Sequence, residues 1–355
     1  MEKKRIAWMD ITKAIGMMIV LVNHAELDFG VINYFGGMFY MPIFFMLSGM
    51  TFTYHKDEKL WSYAGKKAKR LLLPYLFYNL FLFLFFFFKN NVLTGRITVD
   101  SFFPIIGIIY SRNSMFSGER TNNIYFMQNL NAPTWFLTCM FLTLIFFWWL
   151  IHWSKDDQKK IGIINGGFLI LAISLHYLSP VLIPWSLDSA LYAVSFVLFG
   201  RFAQRKNLVG WLYQRPHFII AVISAFVGLS YLNGSVNMSV GNYGKSMILY
   251  LVVGALGSVL CMELAYFIEK KSKILTLIGT VVGKKTIQIL CLHLFVFMLV
   301  KVGAEQISYL KNAEILIKLL MVIFSLLILS CVEFGTIAFK FCVRYNTSRS
   351  YRDKY

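Results

Sequence analysis

The chain of 355 residues is 58% hydrophobic and only 15% charged, with a mean hydropathy of +0.62. Soluble domains run nearer 45–50% apolar and about 25% charged, so an ordinary water-soluble protein is excluded. The formal charge of +18 would suggest nucleic acid in a soluble chain, but in a membrane protein the same excess reports topology.

A helix needs roughly 20 apolar residues to cross about 30 Å of hydrocarbon. Ten stretches qualify, at 8–27, 34–54, 71–92, 134–153, 162–179, 187–204, 217–233, 246–268, 285–303 and 315–340. They predict an all-α polytopic membrane protein. The first stretch carries Asp10 and Lys13 and lacks a small-residue cleavage site, so it reads as an uncleaved helix. With the N-terminus inside, all but eight of the 35 Lys and Arg fall on the cytoplasmic side; the eight are Lys89, Arg96, Arg112, Arg120, Lys245, Lys301, Lys311 and Lys318. Cytoplasmic segments retain Lys and Arg, so both termini are expected inside and a nucleic-acid partner is not expected. This gives a membrane domain over 1–340, an external segment at about 93–133 and a short basic cytoplasmic tail over 341–355. The five Cys (139, 261, 291, 331 and 342) sit in apolar stretches without a C-x-x-C, and predict neither a disulfide framework nor a metal site.

Ionisable groups inside a span are costly and mark function by default. The first span holds Asp10, Lys13 and His24. Eleven positions separate Lys13 from His24, close to three helical turns, so the two share a face roughly 16 Å apart along the axis. Such a stripe must face protein or water. Two readings fit it. In one, Asp10 and Lys13 pair at the interface and His24 caps the outer end. In the other, His24 is a general base and Lys13 a fixed charge for an anionic partner.

The basic run Lys66-Lys67-Ala68-Lys69-Arg70 opens the third span. It fits positive-inside anchoring, yet Lys67 and Arg70, three apart, share a helical face and can hold phosphates together. Between the two clusters lies Phe44-Phe45-Met46-Leu47-Ser48-Gly49, whose Ser-Gly pair permits close helix approach. Ser48 is thereby a further candidate for the donor site. Trp135, at the end of the external segment, suits stacking on a sugar or the interfacial aromatic belt. Asp188, opening the sixth span, could orient His24, hold a sugar hydroxyl or simply favour a helix N-terminus. His293 lies within the ninth span, and it and Asp10 are candidates for acceptor contact. Glu263 and Glu333 are expected to pair with neighbouring helices or inner basic loops.

Taken together, Asp10-x-x-Lys13 with His24, the Phe-Phe-Met-Leu-Ser-Gly segment, the basic run before Leu71-Leu72-Leu73-Pro74-Tyr75, Pro133-Thr134-Trp135, Leu187-Asp188-Ser189 and Gly283-Lys284-Lys285-Thr286 leading to His293 resemble acyltransferase family 3. Its fucose 4-O-acetylase-like branch is the nearest in pattern. The resemblance implies a ten-helix bacterial plasma-membrane O-acyltransferase. Such an enzyme moves acetyl, or a similar short acyl group, from cytoplasmic acetyl-CoA to a hydroxyl of a cell-envelope or exported glycan. It further implies that His24 is the essential histidine, and that Lys13, Lys67 and Arg70 stand where the family commonly has arginines that hold CoA. Separate polysaccharide-pathway proteins are expected as partners. Two other classes also use many helices around polar groups: a transporter of a glycan or lipid-linked intermediate, and a non-catalytic subunit of a polysaccharide export or synthesis complex.

Overall fold

A computed structural model describes residues 6–112, 131–307, 309–310 and 313–331. The predicted basic tail over 341–355, the end of the last predicted span and most of the external segment lie outside the described residues. Among the described residues the chain is helical, with no strand and one isolated bridge between Asn237 and Asn242.

Eight helical stretches are long and apolar enough to cross a membrane, where ten were expected. The two that fall short are α1 (Ala7–His24) and α7 (Leu187–Arg205). Both have the length of a span, but Asp10, Lys13 and His24 on α1 and Asp188, Arg201 and Arg205 on α7 lower their hydropathy. Both are also among the most enclosed helices, so they need little lipid-facing apolar surface. Hydrocarbon excludes unpaired polar groups, and the polar helices are therefore the inner ones.

Around them run α2 (Val31–Met50), α3 (Leu60–Phe87), α5 (Trp135–Ser154), α6 (Gln158–Leu178), α9 (Pro216–Asn233), α10 (Met247–Lys271), α12 (Thr286–Glu305) and α13 (Glu314–Cys331). Helix α3 begins eleven residues before the predicted span. Hydropathy marks where hydrocarbon starts, whereas backbone hydrogen bonding begins earlier and carries the basic run on its first turns. Its Phe-rich end splits around the helix: Phe81, Leu84 and Phe88 are exposed, while Leu82 and Phe83 are buried.

Three shorter helices were not expected: α4 (Phe103–Tyr110), α8 (Leu208–Tyr213) and α11 (Lys273–Lys284). The described start of the external segment is thus not a plain connector. It contains α4, ends that helix on Ser111 in the left-handed region, and then buries Arg112 completely. Helix α11 is too short to span at 1.5 Å per residue. Its Gly279 and Gly283 press against α1, while Ile274, Leu277 and Ile278 point outward.

The closest helix contact joins α2 to α7, at the Ser-Gly pair. A Cβ on Gly49 would lie 1.9 Å from the Val197 carbonyl oxygen, and one on Gly200 would lie 2.0 Å from that of Met46. The obstruction is backbone on both sides and cannot rotate away. Gly49→Ala and Gly200→Ala are each expected to lose at least the 1–3 kcal/mol typical of overpacking, read as a lower melting temperature in detergent. Gly65→Ala and Gly167→Ala, where nothing lies within 4 Å of the new methyl, serve as controls. Wild-type melting of Gly49→Ala would contradict this packing.

The charge asymmetry sets an orientation that is also testable. Ser62 and Thr94 are both exposed, near opposite ends of α3. Thr94→Cys is expected to react with an impermeant thiol reagent in intact cells, and Ser62→Cys only after permeabilisation. The opposite pattern would invert the molecule.

Candidate functional site

The basic turns of α3, the inner half of α1 and the junction between α11 and α12 enclose a cavity of about 830 Å³. Six cations line it: Lys13, Lys67, Lys69, Arg70, Lys284 and Lys285, and no carboxylate does. Local structure brings them together. Gly283 lets the end of α11 close onto α1, since any Cβ there would lie 2.0 Å from the Asp10 carbonyl oxygen. That contact sets Lys284 and Lys285 beside Lys13. On α3 the Lys67 ammonium lies 5.0 Å from the Tyr63 ring centre, a cation–π contact that holds the side chain over the mouth.

Asp10 does not line the cavity. It is 1% exposed and accepts from the Lys13 ammonium at 2.9 Å. Its expected acceptor contact is replaced by a buried pair that fixes Lys13 from behind. Ser48 does line the cavity, donating from Oγ to the Phe44 carbonyl at 2.9 Å. Four of the expected donor-site residues (Lys13, Lys67, Arg70 and Ser48) therefore meet around one space. Lys69, Lys284 and Lys285 were legible as cytoplasmic charge, but nothing in their spacing tied them to α1.

At the outer end of α1, His24 meets His293 of α12. The Nε2 of His293 and the Nδ1 of His24 are 3.0 Å apart, with ring centres 4.9 Å apart. The carbonyls of Ile289 and Leu290 each lie 3.0 Å from His293 Nδ1. Carbonyls only accept, so that nitrogen carries a proton. In a neutral His293 the Nε2 is then an acceptor, and the contact requires His24 to donate from Nδ1. The remaining nitrogen of His24, Nε2, is left with its lone pair. The geometry thus sets the His24 tautomer, with Nδ1 protonated and Nε2 open.

The surroundings fix both rings. His293 is fully buried, whereas His24 is exposed. Asn33 donates to Asn23 Oδ1 and to the Leu27 carbonyl, each at 2.8 Å, and so ties down the turn that follows α1. Lys318 of α13 donates to the Glu26 carbonyl at 3.2 Å. Asn131, at the close of the external segment, donates to the Cys291 carbonyl on α12 at 2.8 Å. Thr134 donates to the Asn131 carbonyl at 2.7 Å, and Asn79 of α3 donates to Thr134 Oγ1 at 3.1 Å. This buried chain links α3 to α12 two residues from His293. Sequence reading missed it because isolated Asn and Thr carry no spacing signal.

Neither histidine lines the cavity itself. Its walls include Val20 and Leu290, which stand one helical turn below His24 and His293. The cavity thus ends one helical turn short of both histidines.

Two expected site residues lie elsewhere. Both carboxylate oxygens of Asp188 accept from Arg112 Nη2, at 2.8 and 2.7 Å. The same guanidinium donates from Nη1 to Ser186 at 3.0 Å. The ring that contacts His24 is that of His293, and Asp188 instead secures the external segment to the start of α7. Trp135 is only 2% exposed, packed edge-on to Phe136, which removes it from a sugar-stacking surface. Among the described residues no group of three or more His, Cys, Asp or Glu is placed to hold a metal ion.

An acyltransferase-domain family model matches residues 6–333. No curated protein and no solved structure matches the chain. That match takes in α1 through α13, including both histidines and every cation of the cavity, and the chain belongs to acyltransferase family 3.

Proposed function

We propose that this membrane acyltransferase takes an acetyl or similarly short acyl group from cytoplasmic acyl-CoA. It delivers that group to a hydroxyl of a cell-envelope or exported glycan at the plasma membrane of a bacterium. One observation carries the reading: a cavity lined by six cations and no carboxylate ends one helical turn short of a histidine pair. CoA is a polyanion with its thioester on a long arm. Lys13, Lys67 and Arg70 would take the phosphates at the mouth, and the arm would extend along α1. Three helical turns, roughly 16 Å, separate Lys13 from His24.

On this reading His24 Nε2 removes the proton from the acceptor hydroxyl, and the hydroxyl oxygen attacks the thioester carbonyl carbon. The C–S bond then breaks, and the departing thiolate takes the proton back from His24. His293 holds the tautomer throughout. The exposure of His24 and the full burial of His293 suit a base that meets an acceptor from outside. The fucose 4-O-acetylase-like pattern in the sequence supports a sugar hydroxyl as acceptor.

The direct test is transfer of label from radiolabelled acetyl-CoA to envelope glycans by the purified protein; no transfer to any glycan fraction would reject the reading. General-base catalysis contributes roughly 10²–10⁴ in rate, so His24→Ala is expected to lose at least a hundredfold in kcat while still binding acetyl-CoA. His293→Ala should lose at least about tenfold in kcat with KM little changed. In the extreme case a mis-set histidine tautomer costs about 10⁴. Retention of full kcat by His293→Ala would contradict the orienting role.

The cations give a separate expectation. Lys13→Gln and Lys67→Gln should raise KM for acetyl-CoA several-fold, with a smaller difference from wild type in high salt, where such charges are screened. Lys13→Arg and Lys67→Arg should keep or improve binding, because a guanidinium grips phosphate in bidentate fashion. Loss of binding in the arginine variants but not in the glutamines would rule out phosphate contact.

A further inference from the structure

Beyond the cationic cavity lies a second one, of about 520 Å³, between α3, α12 and α13. The two share part of their walls, Phe77 and Tyr78 of α3. Among the described residues Tyr78 is the only polar side chain on the walls of the second cavity. It is 5% exposed, and its hydroxyl makes no hydrogen bond to any described residue. A hydroxyl without a protein partner at the junction of two cavities is placed to meet a polar group that is bound there.

Its level in the protein identifies that group. Leu290 lines the first cavity and Val296 the second; they stand one turn below and one turn above His293 on α12. Tyr78 belongs to both cavities, so it faces the stretch of α12 that carries His293. Eleven positions separate Lys67 from Tyr78, as eleven separate Lys13 from His24. On each helix a cation at the mouth and a polar group three turns deeper share a face, within about 20° and roughly 16 Å apart. A donor whose phosphates rest on Lys13 and Lys67 brings its thioester to the level of His24 and Tyr78 together.

We propose that the Tyr78 hydroxyl is a catalytic residue, donating a hydrogen bond to the carbonyl oxygen of the donor thioester and to the oxyanion that replaces it. This rests on the acyl-CoA reading above. When the acceptor oxygen bonds to the acyl carbon, the carbonyl π pair moves onto its oxygen, and Tyr78 donates to that negative charge. When the pair returns, the C–S bond breaks and CoA leaves as the thiolate that His24 protonates. The role is the same if His24 carries the acyl group transiently, since both routes pass through an oxyanion. The other walls nearby, Met17, Val20, Phe136 and Leu290, offer this charge no donor. In such a low-dielectric site a preorganised donor counts for most.

Tyr78→Phe removes the oxygen and keeps the ring. With acetyl-CoA as donor and methyl fucoside as acceptor probe, kcat should fall by about 10²–10³, the usual effect of deleting one oxyanion donor. KM for acetyl-CoA and the melting temperature should stay within error. The second readout needs no acceptor. In difference infrared spectra of bound acetyl-CoA carrying a ¹³C carbonyl, the thioester C=O band should lie lower in wild type than in Tyr78→Phe. Equal bands, or a kcat within threefold of wild type, would overturn the proposal while leaving the acyl-CoA reading intact. Failure of the wild-type protein to bind acetyl-CoA at all would overturn both, and is the result that tells the two failures apart.

Discussion

A polar group in hydrocarbon must find a partner inside the protein or face a cavity, and the arrangement of this bundle follows from that constraint. Helices α1 and α7 carry paired intramembrane charges, and both lie inside; α10 adds Glu263, buried with no hydrogen-bond partner among the described residues. Asp10 is matched by Lys13, and Asp188 by Arg112. His293 spends both ring nitrogens on partners within the bundle, two carbonyls of its own helix and the ring of His24. Helices without such groups, among them α6, α9 and α13, take the periphery and expose Ile163, Ile220 and Leu327. Tyr78, whose hydroxyl has no described partner, faces a cavity instead.

The buried pairs serve different ends of the molecule. Lys13–Asp10 sits at the mouth that the charge asymmetry places toward the cytoplasm. There the carboxylate offsets one cation and holds its direction, while the neighbouring lysines and Arg70 keep the cavity positive. Arg112–Asp188 is fully enclosed near the opposite ends of the helices. Breaking a buried ion pair by removing one partner typically costs 3–5 kcal/mol, so it acts as a firm pin at one side of the external segment. Asn131, bonded to the Cys291 carbonyl, is the other pin. The external segment is thus held at α7 and at α12, the second anchor two residues from His293. The external segment and the histidine pair are mechanically joined there.

The positions of the long apolar helices were legible because a span must be apolar over about 20 residues, a signal that survives any detail of packing. The Ser-Gly pair was legible as a point of close approach, but its partner α7 was not. Lys13, His24, Lys67 and Arg70 were legible from cost: charge within or at the edge of a span needs a reason. The partner of His24 was not. Asp188 was the chemically natural choice, but pairing across helices depends on rotations that hydropathy does not encode, and Arg112 claims that carboxylate from an apparently external segment. Trp135 misled for a related reason: the position suited an interfacial ring, and the 3₁₀ turn at Ala132–Thr134 leads it into the core instead. Helix α11 escaped notice because it is too short to span, and its two glycines gain meaning only against α1.

On the proposed reading, joining a cytoplasmic donor to an external acceptor needs one reacting centre reachable from both sides and a path that leaks little. A single polar channel would satisfy the first need and fail the second. Here the path changes character with depth. Its mouth is cationic, and its deeper walls, Met17, Val20, Phe136 and Leu290, stop one helical turn short of the histidines. Hydrated ions find no partners in that apolar stretch, whereas a thioester arm, neutral and thin, crosses it at little desolvation cost. Charge at the mouth and hydrocarbon in the middle then select together for a ligand with an anionic head and a long uncharged arm. On the acyl-CoA reading, that arm would cover the three turns of α1 that separate Lys13 from His24.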